Sequence, residues 1–237
     1  MSAQRNVQNF KLHISCLIGF LAEPARSTWI FADELSLWRS TVRFLPKRNG
    51  SMRLRLIRHP KPLIEPGICY GRHDCPAEDA ALAAITLLAE LPPGLPLWSS
   101  PLIRCRALAE RLHPKPIIDN RLAEMHFGDW EGRCWDDIPR AELDAWAADV
   151  AGYAPPGGES PRATMARLAG WTASLREPVV AVSHKAAIRA LLALATGWNM
   201  LGRPPHKLDW RSVHFFVASG DGRVAIDRLN VPFGSAP

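Results

Sequence analysis

The chain has 237 residues, 47% hydrophobic and 22% charged, with a formal net charge of +6 and a pI near 9.4. That length and apolar content can close a core, which excludes a wholly disordered chain, and no apolar run approaches the roughly 18 residues that span a bilayer. The basic charge is uneven: residues 1–51 hold seven Lys+Arg against three Asp+Glu (+4), and residues 52–237 hold 22 against 20 (+2). No basic stripe remains on the part that folds, so neither a nucleic acid nor a membrane is expected as partner. The cysteines, at 16, 69, 75, 105 and 134, are five in number and form no Cys-x-x-Cys pair. This argues against a disulfide framework or a zinc ribbon and suits a reducing, cytoplasmic setting.

Residues 1–51 read unlike the rest. A short apolar run, Ile14 to Ala22, follows Arg5 and Lys11 without a clean cleavage site after it, and a mixed stretch with no sustained period leads to a turn-like Lys47 to Ser51. The expectation is that Met52 is the true start and residues 1–51 an over-called upstream stretch, with a genuine, poorly ordered extension or targeting segment as the alternative; the folded domain is residues 52–237. Leu54–Ile57 then reads as a strand ending at Arg58-His59, and Ala80–Leu91 as a helix closed by Pro92-Pro93-Gly94. Leu95–Trp98 is a second strand. Ser100 as N-cap with Pro101 at the first position starts a helix over Leu102–Leu112. Pro116–Ile118 is a third strand, Ile138–Val150 a helix, and Ser160-Pro161 the cap of a helix reaching Leu175. Val179–Val182 is a buried strand ending at Ser183-His184, Ala186–Thr196 a helix, and Val213–Ala218 with Arg223–Leu229 a hairpin through Gly220-Asp221-Gly222. Alternating strands and helices predict an α/β fold layered on a largely parallel sheet.

Two of these strands end in histidine, and ligands of open α/β sheets bind beyond the carboxyl ends of strands, so His59 and His184 are expected to face one crevice. Arg104 falls in the first turn of a helix whose N-terminus favours anions. Arg58, Arg104, His59, His184 and a helix N-terminus at one sheet edge describe a phosphate pocket, because guanidinium forks fit phosphoryl oxygens in pairs.

These segments together resemble the histidine phosphatase, or phosphoglycerate-mutase-like, superfamily across residues 53–237. The resemblance rests on Arg58-His59, on Ser100-Pro-Leu-Ile-Arg104, on the run Leu122-Ala-Glu124-Met-His-Phe-Gly128-Asp-Trp-Glu-Gly132, and on Val182-Ser-His184. Within the superfamily it is nearest the α-ribazole-5′-phosphate phosphatases of cobalamin synthesis, through Gly67-Ile-Cys-Tyr-Gly-Arg72-His-Asp74, the continuation of the acid loop to Pro139, and Pro156-Gly-Gly-Glu-Ser160. It implies a three-layer α/β sandwich around a mostly parallel sheet and a phosphomonoesterase acting on a small molecule without cofactor or metal. His59 would be the nucleophile and Glu124, with a raised pKa, the proton donor. Arg58, Arg104 and His184 would hold the phosphoryl oxygens. Arg72, Tyr70, Ser183 and Lys185 are the expected substrate contacts, although a turn stabilised by Asp74 accounts for Arg72 and Tyr70 equally well.

Two positions depart from the pattern: Pro60 and Lys185 stand where the family usually has glycine. Proline removes a backbone donor, and lysine adds a cation. They leave open a weakly catalytic phosphate- or partner-binding module; within the enzyme class the alternatives are a broad-specificity phosphatase and a phosphoglycerate mutase. Glu131 is the second candidate for the acid. Cys69, His73 and Cys75 lack a fourth ligand at useful spacing and read as part of a substrate loop. Trp130, Trp135, Trp146 and Trp171 read as packing residues.

Overall fold

The computed structural model describes residues 51–88, 91, 93–201, 203–209 and 212–233. The expectation for residues 1–51 falls, apart from Ser51, outside them. Strand β1 is Ser51–Arg58, followed by helix α1 (Asp79–Leu88), β2 (Leu97–Ser99), α2 (Ile103–Leu112) and β3 (Ile117–Ile118). Helices α3 (Arg140–Ala148) and α4 (Pro161–Ser174), strand β4 (Val179–Ser183), helix α5 (Lys185–Thr196) and the hairpin β5 (Ser212–Ser219) and β6 (Val224–Pro232) complete the chain.

The six strands run in the order β3-β2-β4-β1-β5-β6. The first four are mutually parallel, and the terminal hairpin adds β5 and β6 antiparallel at one edge. Every residue of β4 is buried, as a central strand covered on both faces requires. Its alternate residues divide between two cores. Val179 and Ala181 join Leu54, Leu56 and Phe216 under Leu168, Trp171 and Ile188 of α4 and α5. Val180 and Val182 join Ile57 and Leu97 under Leu82, Ile85, Cys105 and Leu108 of α1 and α2. Helices therefore cover both faces of the sheet, giving the three-layer sandwich. A third cluster, Met125, Phe127, Trp130, Ile138, Leu143 and Trp146, roofs one end of it. No helix among the described residues is long and apolar enough to cross a membrane.

Local signals account for most boundaries. Ser160 caps α4 by accepting the Ala163 N–H at 3.1 Å, with Pro161 in the first turn. Helix α5 ends at Gly197 in the left-handed region (φ 73°), whose N–H returns to the Ala193 carbonyl at 2.9 Å. Helix α2 differs from expectation. It starts at Ile103, and the Ser100 hydroxyl accepts only the Leu102 N–H, at 3.2 Å. The donor of the first helical residue, Ile103, goes instead to the Asp74 carboxylate at 2.7 Å. A loop distant in sequence supplies this cap, leaving Ser100 to bond His184.

Candidate active site

Register brings the two histidines together. β1 and β4 pair in parallel with Arg58 opposite Ser183, and the His59 N–H donates to the Ser183 carbonyl at 3.0 Å. The imidazole rings follow at the same level, 4.9 Å apart between centroids and tilted by 59°. β2 ends beside them, where the Ser100 N–H donates to the Val182 carbonyl at 3.0 Å. Arg58, His59, Arg104, Glu124 and His184 are each no more than 5% exposed, so their charges interact with little solvent screening.

This environment sets the protonation of the rings. Burial, then Arg104 and Arg58, push the His59 pKa well below its ordinary value; burial, Arg104 and His59 do the same to His184. His59 is thus neutral and carries one ring proton. Its Nδ1 lies 2.6 Å from the Pro60 carbonyl oxygen. A carbonyl can only accept, so Nδ1 holds the proton and Nε2 carries the lone pair. His184 Nε2 sits 2.7 Å from Ser100 Oγ and 3.3 Å from Cys105 Sγ. Burial, against the opposing effect of Glu124, brings the Arg58 pKa down to about 10. It remains a cation at neutral pH.

The loop after β1 positions Arg104. One Nη donates to the His73 carbonyl at 3.1 Å and the other to the Gly71 carbonyl, while the guanidinium lies 5.6 Å from the Tyr70 ring centre. Arg104 Nε is buried and has no hydrogen-bond partner among the described residues. Tyr70 is thereby a buried wall of the pocket, and burial raises its hydroxyl pKa. Asp74 holds this loop to the start of α2 through the cap described above. The loop as a whole is laced to the acid loop by backbone bonds from Cys69 N–H to the Arg133 carbonyl and from Gly132 N–H to the Cys69 carbonyl, both 2.8 Å.

Glu124 reaches the same edge from a loop of short 3-10 turns. Its Oε1 accepts the N–H groups of Met125 at 3.0 Å and of Ala186, in the first turn of α5, at 3.2 Å. Glu131 is engaged otherwise. Its carboxylate receives the N–H groups of Arg72 (2.8 Å), His73 and Phe127 (2.9 Å), bracing the two loops against each other. Of the two candidate acids, only Glu124 reaches α5 beside His184.

Glu159 and Arg167 form a buttress that motif reading left without a role. Arg167 donates to the Glu159 carboxylate at 2.6 and 3.1 Å and to the Glu124 backbone carbonyl at 3.1 Å. The Glu159 carboxylate also takes the His126 N–H at 3.0 Å and Arg72 Nη2 at 3.4 Å. Burial opposes its charge, but Arg167 prevails and its pKa is lowered. Glu159 lies within the quoted Pro156 to Ser160 run. Arg167 sits inside an ordinary helical sequence and leaves no local signal.

Arg72 is thus docked on the acid loop, its Nε also 3.4 Å from the Glu124 carbonyl. The Ser183 side chain is fully buried and donates to the Leu122 carbonyl at 2.7 Å, tying the acid loop to β4. Lys185 opens α5 half-buried, and burial with Arg58 and Arg189 brings its pKa down to about 8. His214, on β5 beside β1, is a further buried histidine, with its pKa lowered to about 4 by burial and Arg58. Among the described residues, no group of three or more His, Cys, Asp and Glu is arranged to hold a metal ion.

Neutral imidazoles and buried guanidinium groups gather at the carboxyl edge of a parallel sheet, with a carboxylate beside them, an arrangement chemically suited to a phosphoryl group. The chain matches the model of the histidine phosphatase superfamily (branch 1) over residues 54–232 and belongs to that family. It is 34% identical over 181 residues, 63% of this chain and 79% of the relative, to a glucosyl-3-phosphoglycerate phosphatase of Mycolicibacterium vanbaalenii. The solved structure of a mycobacterial glucosyl-3-phosphoglycerate phosphatase is similar at TM-score 0.61 and 28% identity, covering 76% of this chain and 99% of that one. An Escherichia coli structure described as a putative α-ribazole-5′-P phosphatase aligns at TM-score 0.68 over 78% of this chain and 99% of its own, at 22% identity, a likeness of fold.

Proposed function

We propose that the protein hydrolyses phosphate monoesters through a phosphohistidine formed at Nε2 of His59. The observation that carries this reading is the His59 Nδ1 contact to the Pro60 carbonyl, 2.6 Å, in a ring held neutral by burial and two arginines. It leaves the lone pair on Nε2, in a buried cationic pocket. Proline at position 60 keeps this function, since the group used is a carbonyl that every residue possesses.

In the first step the Nε2 lone pair attacks phosphorus and the ester P–O bond breaks in line. Glu124, in its acid form, gives its proton to the departing alkoxide. In the second, water attacks the phosphohistidine and passes a proton to the Glu124 carboxylate. The P–N bond breaks, its electron pair returns to Nε2, and inorganic phosphate leaves. Arg58, Arg104 and His184 hold the equatorial oxygens throughout, and Arg104 Nε is one donor still to be matched. Arg72 and Ser183 position the acid loop, and Tyr70 keeps the Arg104 plane in place.

Two alcohols compete for the leaving group. The quoted motifs favour α-ribazole 5′-phosphate or the corresponding cobamide phosphate. The 34% identity to a glucosyl-3-phosphoglycerate phosphatase favours a phosphoglycerate-type ester, and the extra cation at Lys185 suits its acid group. The second has the better support.

The test incubates the purified full chain with p-nitrophenyl phosphate, α-ribazole 5′-phosphate and 3-phosphoglycerate, without added metal, beside His59→Ala. Phosphate release should fall by about 10³-fold or more in the variant. A rapid alkaline quench should trap protein-bound phosphate that is acid-labile and absent from His59→Ala. Turnover no higher than that of His59→Ala would replace the hydrolase with a phosphate-binding module. Phosphate passed between hydroxyls instead of released would identify a mutase.

A further inference from the structure

Ser100, Cys105 and His184 are each completely buried, and their polar atoms meet in a triangle. Ser100 Oγ lies 2.7 Å and Cys105 Sγ 3.3 Å from His184 Nε2, whereas Nδ1 has only Cys105 Sγ within bonding range among the described residues, at 3.8 Å. Ser100 is available for this contact because α2 is capped from elsewhere. Asp74 takes the Ile103 N–H that Ser100 would claim as N-cap. The Ser100 oxygen accepts the Leu102 N–H at 3.2 Å, and its own proton needs an acceptor. Burial keeps Cys105 a thiol, and its S–H donates to the Ser183 carbonyl at 3.5 Å.

The His184 ring is neutral and carries one proton, and only one placement of it satisfies every donor in the triangle. On Nε2, the ring N–H would fill the Ser100 oxygen. The hydroxyl proton would then be left to the Cys105 sulfur, a weak acceptor, and the Nδ1 lone pair would stay unpaired. On Nδ1, it leaves Nε2 open to the Ser100 hydroxyl, which donates at 2.7 Å, an ordinary length for such a bond. We infer that Ser100 is a positioning residue: it fixes His184 in the Nδ1–H tautomer and so makes the ring a donor toward the phosphoryl group. The inference rests on the hydrolase reading above. Phosphoryl oxygens only accept, so the other tautomer would turn a lone pair toward them.

Long-range proton–nitrogen correlation spectra of the full chain at pH 7.5 read the tautomer directly, with His184 assigned by its loss in His184→Gln. Nδ1 should be protonated and Nε2 bare in the parent, and the pattern mixed or reversed in Ser100→Ala. In that variant kcat/KM for p-nitrophenyl phosphate should fall by about 10- to 100-fold, the worth of a hydrogen bond to a charged group. Inhibition by inorganic phosphate should weaken by about tenfold or more. Ser100→Cys, a weaker donor of similar size, should lie between, and it carries the same comparison if Ser100→Ala fails to fold. A residue that only packs would lower activity without moving the ring proton. A proton on Nε2 in the parent, a tautomer unchanged in the variants, or turnover within about twofold of the parent would overturn the inference and leave the hydrolase standing. If the parent releases no more phosphate than His59→Ala, the hydrolase reading falls, and spectra with added inorganic phosphate decide the inference. A protonated Nδ1 that shifts on the addition supports it, and one that stays in place refutes it.

Discussion

Gly128 is where the acid loop and the loop before α4 come closest, and replacing it by alanine tests whether their contact positions Glu124. Its φ is +56°, and a Cβ there would lie 1.9 Å from the Pro156 carbonyl oxygen and 2.5 Å from the Gly158 nitrogen. The left-handed conformation costs a non-glycine residue about 1–2 kcal/mol. Relieving overlap with backbone atoms adds roughly 1–3 kcal/mol, for a total of about 2–5 kcal/mol. In a domain of this size each kcal/mol moves Tm by about 2–4 °C, so Gly128→Ala should melt about 4–20 °C lower. The same Pro156 carbonyl accepts the Asp129 N–H at 2.8 Å, so yielding to the Cβ also loosens the loop that carries Glu124. An ångström of displacement is worth up to about 10²-fold in rate, and kcat for an alkyl phosphate should fall by about 10- to 100-fold at temperatures where the variant is folded. Gly170→Ala is the control: exposed inside α4 with nothing within 4 Å, it should gain about 0.5–1 kcal/mol by helix propensity alone. Differential scanning calorimetry and steady-state kinetics on both variants read the outcome. A Gly128→Ala protein that melts within about 1 °C of the parent with unchanged kcat would refute the rigid stack of loops.

The proposed acid and the buried histidines give two more expectations. Glu124→Gln removes the proton donor but keeps the backbone contacts, so kcat should drop by about 10²–10⁴-fold for alkyl phosphates and far less for p-nitrophenyl phosphate, whose leaving group needs no proton; equal losses on both would assign the proton to another group. Burial lowers the pKa of His59, His184 and His214. Below the ordinary value near 6.5 the unfolded chain takes up protons that the folded rings refuse, so stability is lost as pH falls from there toward about 4, with a slope of up to about 4 kcal/mol per pH unit for the three together. Urea midpoints at pH 7.5, 6 and 5 would show it, and His214→Gln should reduce the slope by about a third; midpoints constant down to pH 5 would mean that these rings accept protons in the folded state.

The layered α/β fold was readable because its strands and helices announce themselves locally. Val179–Val182 is an unbroken apolar strand, Ser160-Pro161 starts α4 as expected, and Gly197 closes α5. Arg58-His59 and Ser183-His184 were recognisable as strand ends, and β1–β4 register does the rest. What the sequence hid depends on contacts between distant segments. The α2 boundary was misplaced because its cap comes from Asp74, and Glu124 and Glu131 are told apart in position only by the backbone N–H groups each one meets. Arg167 was invisible for the same reason, since only folding brings it under the Glu124 carbonyl. Pro60 lacks a backbone donor but keeps the carbonyl that His59 Nδ1 contacts, which only the folded geometry shows.

The parallel pairing of β1 with β4 also governs how the protein must be made. His59 and His184 are 125 residues apart in the chain and meet only after the segment between them has closed a long loop, a slow step to which local structure contributes nothing at the site. A fragment ending before β4 holds His59, Arg104 and Glu124 but lacks His184 and the strand that sets it beside His59, so a nascent chain is expected to stay inert until that strand has emerged and inserted between β2 and β1. Recovery of phosphatase turnover after dilution from denaturant would therefore follow completion of the whole sheet, trailing the helix signal seen by circular dichroism, and would serve as a stopwatch for global folding.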